Sequence, residues 1–131
     1  MRWREEIDQL HEFFEAYFSG AETSLERAEA VLAPEFTIVG TDGVESDREG
    51  TLEMLSDGHA HTSDLTITTS DHRLVLRSEE VIVATYLEHH ELSERHNHRL
   101  STVIFVADTT TPNGLLWHHV HETWVTERLR E

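Results

Sequence analysis

Eleven of the 131 residues are histidine and none is cysteine. Any chemistry in this chain therefore rests on imidazoles, carboxylates, hydroxyls and arginine, not on a thiol. Three histidine pairs have the form H-x-H: His59-Ala60-His61, His96-Asn97-His98 and His119-Val120-His121. On a strand, two such residues share a face about 6–7 Å apart because side chains alternate. Paired imidazoles chelate zinc, nickel or copper when a neighbouring strand supplies a third ligand. His89, Glu91 and Glu122 are the residues available for that. No pair carries a carboxylate at fixed local spacing, and His59 and His61 fall in a loop pattern. The competing reading is solvated or hydrogen-bonded imidazoles on an acidic surface, and no metal is assigned.

The last two strand-like runs decide what those histidines meet. With a turn at Thr111-Pro112-Asn113-Gly114, the flanking runs pair as a hairpin, with a register open by a residue or two. One face then carries Arg99, Ser101, Val103 and Phe105 beside Trp117, His119 and His121. That combination of aromatic walls with a few convergent polar groups is what a ligand cavity has. The opposite face carries Leu100, Ile104 and Val106 beside Val120, Glu122 and Trp124; it is either helix-covered core or a dimer patch. Arg99 can clamp a ligand carboxylate or pair with Glu91 across the hairpin. No phosphate loop, dinucleotide fingerprint or nucleophile elbow is present, so no cofactor is assigned.

Composition narrows the partners. The net charge is −16, from 26 acidic and 10 basic residues, and every basic residue is arginine. Such a surface repels nucleic-acid phosphates and anionic membranes, so neither is expected as a partner. Adaptation to salt or to a GC-rich genome accounts for the same bias. No apolar run approaches the roughly 20 residues of a membrane helix, and Met1–Glu6 lacks the apolar segment of a signal peptide. Without cysteines there is no disulfide framework, and a cytoplasmic location is the expectation.

The elements that must position these residues follow from periodicity. Trp3, Ile7, Leu10, Phe14 and Tyr17 recur at three- and four-residue steps, widened by Phe13 and Phe18, which predicts a helix over 3–19 stopped by Gly20. Thr23-Ser24-Leu25-Glu26 has capping-box spacing and opens a second helix that presents Leu25, Ala28 and Leu32 and ends before Pro34. Phe36–Val39 is a first strand, and Thr41-Asp42-Gly43 turns into a short second one. Ser46-Asp47-Arg48-Glu49 repeats the capping spacing and starts a third helix, with Leu52 and Leu55 inward and Gly58 at its end. From Leu65 the period becomes two, and Leu65–Arg77, Val81–Leu92, Asn97–Ala107 and Leu115–Thr126 read as long strands. The whole chain, 1–131, is one α+β domain with helices on one sheet face.

Phe13-Phe14 with Gly20, Leu32-Ala33-Pro34-Glu35-Phe36 followed by Asp42-Gly43, and the strand Trp117 to Glu122 resemble the nuclear transport factor 2-like superfamily. Within it, the small SnoaL-like domains are the nearest in pattern, and the likeness spans roughly Ile7 to Val125. The resemblance implies a cone-shaped, cystatin-like fold in which three N-terminal helices pack on a strongly curved mixed or antiparallel sheet. A cavity opens at the wide end, and many members dimerise through the outer sheet face. Some members are enzymes, such as ketosteroid isomerase, scytalone dehydratase and polyketide cyclases; others only bind or assemble.

Aligned on the first helix and Gly20, Phe13 falls where the isomerase has its tyrosine. Gly40 falls near its base, and Ser101 or Thr102 near its late-strand acid, so isomerase chemistry does not transfer. SnoaL-like relatives commonly carry a histidine at the position of His121. This makes His121 the candidate general acid/base or donor, with a core histidine bonded to a backbone carbonyl as the alternative. Tyr17, one turn beyond Phe13, is the candidate that replaces the helix tyrosine. The expected site is then His121 and Tyr17 as catalytic residues, with Phe14, Arg99, Ser101, Trp117 and His119 as ligand contacts. The leading expectation is a homodimeric small-molecule-binding domain for a neutral or weakly acidic organic ligand. A cofactor-independent lyase, isomerase or cyclase using His121 is the alternative, and an oligomerisation module without catalysis is the second.

Overall fold

The computed structural model describes residues 2–126. The element order is α1 (Trp3–Ser19), α2 (Glu26–Val31), β1 (Leu32–Val39), β2 (Glu45–Asp47), α3 (Arg48–Asp57), β3 (Thr66–Arg77), β4 (Val81–Glu91), β5 (His96–Ala107) and β6 (Leu115–Trp124). The six strands form one sheet in the order β2-β1-β6-β5-β4-β3. Strands β3 to β6 make an antiparallel meander, while β1 lies parallel to β6, so the sheet is mixed. Three helices and a mixed sheet give the α+β architecture expected from the pattern.

α1 is uninterrupted because residues 3–19 contain neither glycine nor proline and present one apolar stripe. Ile7, Leu10, Phe13 and Tyr17 on that stripe are buried. Gly20 ends it in the left-handed conformation (φ 92°), its N–H donating to the Tyr17 carbonyl. The core joins this stripe to Ile82, Ala84 and Tyr86 of β4, Val103 and Phe105 of β5, and Leu115, Trp117 and Val120 of β6. Among the described residues, no helix is long and apolar enough to cross a membrane.

Several boundaries differ from the expected ones, and α2 starts at Glu26 behind Leu25 without the side-chain cap expected from Thr23. Leu32 belongs to β1, not to the second helix, and β1 runs through Pro34. The pairing of β1 with β6 shifts register between Leu32 and Thr37, the irregularity at which a strand tolerates a residue without an N–H. The cap of α3 is Asp47, one residue after the expected Ser46; its Oδ1 accepts from the Gly50 N–H at 2.8 Å. Arg48 then ties α3 to the end of α2, donating to the carbonyls of Leu32 and Glu29.

Candidate functional site

Along β4, β5 and β6 the inner sheet face is built in rows of paired residues, and the rows change character. Ile82, Phe105 and Trp117 form the first, and Ala84, Val103 and Val120 the second. Tyr86, Ser101 and Glu122 form the next, followed by Glu88, Arg99 and Trp124. The face therefore grades from wholly apolar to ionisable. A cavity of about 490 Å³ lies over it, enclosed by α1, α3 and the β1–β2 connection. Leu10, Phe14, Phe36, Ile38, Leu55 and Trp117 wall it, and His11, Tyr86, Glu88, His90, Arg99 and Glu122 supply its polar end. Val39 pairs with His121, so the turn at Gly40–Asp42 leaves the sheet beside Glu122 and forms the lip of the cavity.

Glu88 is 5% exposed, a burial that an ionisable side chain tolerates only when paired. Its Oε1 lies 3.0 Å from His11 Nε2, and its Oε2 bonds His90 Nε2. His11 Nδ1 donates to the Ile7 carbonyl at 2.7 Å. With a carbonyl on one ring nitrogen and a carboxylate on the other, both nitrogens serve best as donors, which is the imidazolium form. Burial works against charge on His11, but the charge of Glu88 and the hydrogen bonds to Glu88 and Ile7 outweigh it and raise its pKa. Burial likewise opposes ionisation of Glu88, and the charge of His11 and the bonds from both imidazoles hold its pKa well below the usual carboxylate range. Burial, with the nearby Glu88 and Glu122 charges, pushes the Tyr86 phenol well above its ordinary value, so it remains a neutral hydroxyl.

Glu122 is the less settled carboxyl. Burial raises its pKa, the charge of Glu88 adds to that, and Arg99 opposes it. Arg99 Nη1 stands 3.6 Å from Glu122 Oε1, and its guanidinium lies over the Trp124 ring at 5.0 Å. A second buried carboxylate, Glu6, is structural. It accepts from Arg27 (2.8 and 3.2 Å), Asn113 (3.0 Å) and the Trp117 indole (2.7 Å), which fixes the ring that walls the cavity.

The expected residues separate into two groups. Phe14, Arg99 and Trp117 line the cavity. Ser101 lies on the same inner face, fully buried beside Tyr86, and does not reach the cavity. Tyr17 is buried in the core, stacked on Phe13 and packed against His59. His119 and His121 are on the outer face, where His119 Nδ1 meets the Thr37 hydroxyl at 2.7 Å and His121 is exposed. The expected grouping of Trp117 with His119 and His121 is corrected by a β-bulge. Ile104 pairs with His119 but Phe105 pairs with Trp117, so His118 is the extra residue and the alternation reverses beyond it. Val120 and Glu122 turn inward as a result. Arg99 pairs with Glu122, not with Glu91. Of the H-x-H pairs, His119 and His121 do share a face, with rings 6.5 Å apart, while His59 donates to the Glu22 carbonyl. Among the described residues, no group of three or more His, Asp or Glu side chains is placed to hold a metal ion.

His11, Glu88 and His90 were not singled out from the sequence. The signal was there in part: His11 lies one turn from Ile7 on the α1 stripe, and Glu88 and His90 continue the inward set of Ile82, Ala84 and Tyr86 at a period of two.

No family model and no curated protein matches the sequence. Solved structures match it over most of its length. An NTF-2-like protein of unknown function from Pseudomonas aeruginosa superposes with a TM-score of 0.89 at 23% identity, covering 96% of this chain and 100% of that one. The calcium/calmodulin-dependent protein kinase II hub of S. rosetta matches with a TM-score of 0.70 at 16% identity, covering 87% and 89%. A provisionally named ketosteroid isomerase from Shewanella frigidimarina matches with a TM-score of 0.60 at 17% identity, covering 84% and 88%. The chain has the nuclear transport factor 2-like, or cystatin-like, fold.

Proposed function

We propose that this chain is a small-molecule-binding domain of SnoaL-like type, and that its ligand is a neutral or weakly acidic ring compound. The observation that carries this reading is the graded cavity: about 490 Å³, apolar against Phe14, Leu10 and Trp117, and polar at Tyr86, Arg99 and Glu122. That volume suits one drug-sized molecule. An apolar body desolvates against the aromatic walls while the polar end orients it. Phosphorylated ligands are disfavoured, because the net charge is −16 and the sequence has no glycine-rich phosphate-binding motif. The ligand contacts are Phe14, Arg99 and Trp117, joined by Tyr86 and Glu122; His119, His121, Tyr17 and Ser101 drop out of the contact set because they do not reach the cavity.

The test is a screen of neutral and weakly acidic ring compounds, followed by tryptophan fluorescence and thermal shift. Trp117 is one of three tryptophans, so a saturable signal that Trp117→Phe removes supports the reading. Absence of saturable binding across such a set contradicts it.

An acid–base enzyme is the second reading, and the partly buried Glu122, lining the cavity with its raised pKa, favours it. The proton-transferring group is then Glu122, not His121, because Glu122 reaches the cavity. Turnover of a bound compound that Glu122→Gln abolishes and His121→Ala spares would support it. We further infer a symmetric homodimer through the outer sheet face. Support comes from the partly exposed apolar residues there, Val83, Leu87, Leu100 and Ile104, and from a fold neighbour that is itself a hub. Sedimentation should give about twice the chain mass, reduced to the monomer by Ile104→Glu; a wild-type monomer in both low and high salt refutes it.

A further inference from the structure

Among the described residues, the polar end of the cavity contains a cation, Arg99, with a buried donor that is not used. Arg99 Nε is buried and has no hydrogen-bond partner among the described residues. Its Nη1 approaches Glu122 only to 3.6 Å, beyond hydrogen-bond length, and its guanidinium lies over the face of Trp124. A guanidinium is a planar fork of five N–H donors that matches a carboxylate with two parallel bonds. Desolvated donors of this kind are a standing demand for an acceptor.

We propose that the polar end is a carboxylate receptor: Arg99 takes the ligand's carboxylate, Glu122 yields its place as partner, and the bound molecule is a small carboxylic acid with a ring as its apolar body. This rests on the reading of the cavity as a ligand site and names the ligand's polar group.

Two protein carboxylates stand near Arg99, and they differ in what a third would do to them. Glu88 has both oxygens bonded, one by His11 and one by His90, so its charge is already balanced within the wall. Glu122 has the loose contact to Arg99 and a side chain only 11% exposed. An arriving carboxylate that takes Arg99 leaves the partly buried Glu122 without its arginine, and the cheapest response is protonation. Its pKa is already raised in the empty cavity, by burial first and by Glu88 second. The charged and titratable groups facing Glu122 are His11 from α1, Tyr86, Glu88 and His90 from β4, Arg99 from β5 and Asp42 from the lip. Binding one carboxylate thus draws one proton from solvent onto Glu122, and the neutral acid can then donate a hydrogen bond to the ligand. Affinity should rise as pH falls.

The probes are 3-phenylpropionate and its amide, which share an apolar body and differ in charge, titrated into the full chain between about pH 6 and pH 8, where a simple carboxylic acid is ionised. Calorimetry in buffers of different ionisation heat counts the proton. The acid is expected to bind about tenfold or more tighter than the amide, with about one proton taken up. Arg99→Met should bring the acid to the amide's affinity, and Glu122→Gln should remove both the pH dependence and the proton uptake of whatever acid binding remains. An amide that binds as tightly as the acid overturns the receptor and leaves the cavity reading standing. So does acid binding that is independent of pH. If neither probe binds, the receptor falls, and the cavity reading stands or falls separately on the ring-compound screen.

Discussion

Removing Arg27 should unfold this protein far more easily than its surface position on α2 implies. Its guanidinium makes two bonds to Glu6, at 2.8 and 3.2 Å, and is itself about one-fifth exposed, whereas the Glu6 side chain is completely buried. Glu6 also accepts from Asn113 and from the Trp117 indole. All four contacts are donors, so the site is built around a carboxylate. Arg27→Ala takes away the cation among its described partners and leaves a buried charge facing two neutral donors. Breaking one partner from a buried pair costs about 3–5 kcal/mol. For a chain of this size that is a fall of roughly 10–20 °C in Tm. Urea unfolding followed by far-UV circular dichroism should show the midpoint moving down with an unchanged slope. Trp117 fluorescence should report the same transition, because its indole is bonded to the same carboxylate. A loss below about 1 kcal/mol would refute the reasoning, since it would mean that water reaches Glu6 and replaces the guanidinium.

The other expectations concern the core, the buried ion pair and one turn. Leu10→Ala should cost about 2–5 kcal/mol because Leu10 is 1% exposed, and Phe14→Ala should cost less because its ring is only partly buried; urea midpoints order the two, and the reverse order would contradict that difference in burial. His11 is held above its ordinary 6.5, so its contribution is complete below that pH and is lost as pH rises through the raised folded value. Glu88 is held below its ordinary 4.5, so its contribution is present above that pH and is lost as pH falls through the lowered value. The pair therefore stabilises most between those ordinary values, and urea midpoints against pH should show an alkaline decline that Glu88→Gln removes. Gly20→Ala should cost about 1–2 kcal/mol, because φ is 92° there and a Cβ would sit 3.1 Å from the Ala60 Cβ; thermal unfolding equal to wild type would contradict the left-handed cap.

Much of the fold was legible in the sequence because its elements are long and strongly patterned. The stripe from Trp3 to Tyr17 with Gly20 behind it marks α1 at both ends, and the turn residues around Ser78, Ser93 and Asn113 separate the meander strands. Pro34 was read as a barrier, but a bulge lets β1 begin before it. The site was less legible for a related reason. A period of two assigns faces only while it is unbroken, and one extra residue at His118 exchanges every side chain after it. Trp117 and Val120, both buried, are three residues apart where an even strand has two or four, and that odd step is the trace the bulge leaves in the sequence. β4 hid its half of the site differently. Val83 and Leu87 on one face are as apolar as Ile82 and Ala84 on the other, so hydropathy alone did not say which face Glu88 shares. Packing against α1 decides it.

The most direct test of the central claim is a crystal structure of the full chain with a saturating ring compound selected by the fluorescence screen. The molecule should lie between α1 and the inner sheet face, its apolar body against Phe14 and Trp117 and its polar atoms toward Arg99 and Glu122. A compound found instead on the outer face beside His119 and His121, or a cavity that stays empty at saturating ligand, would contradict the account.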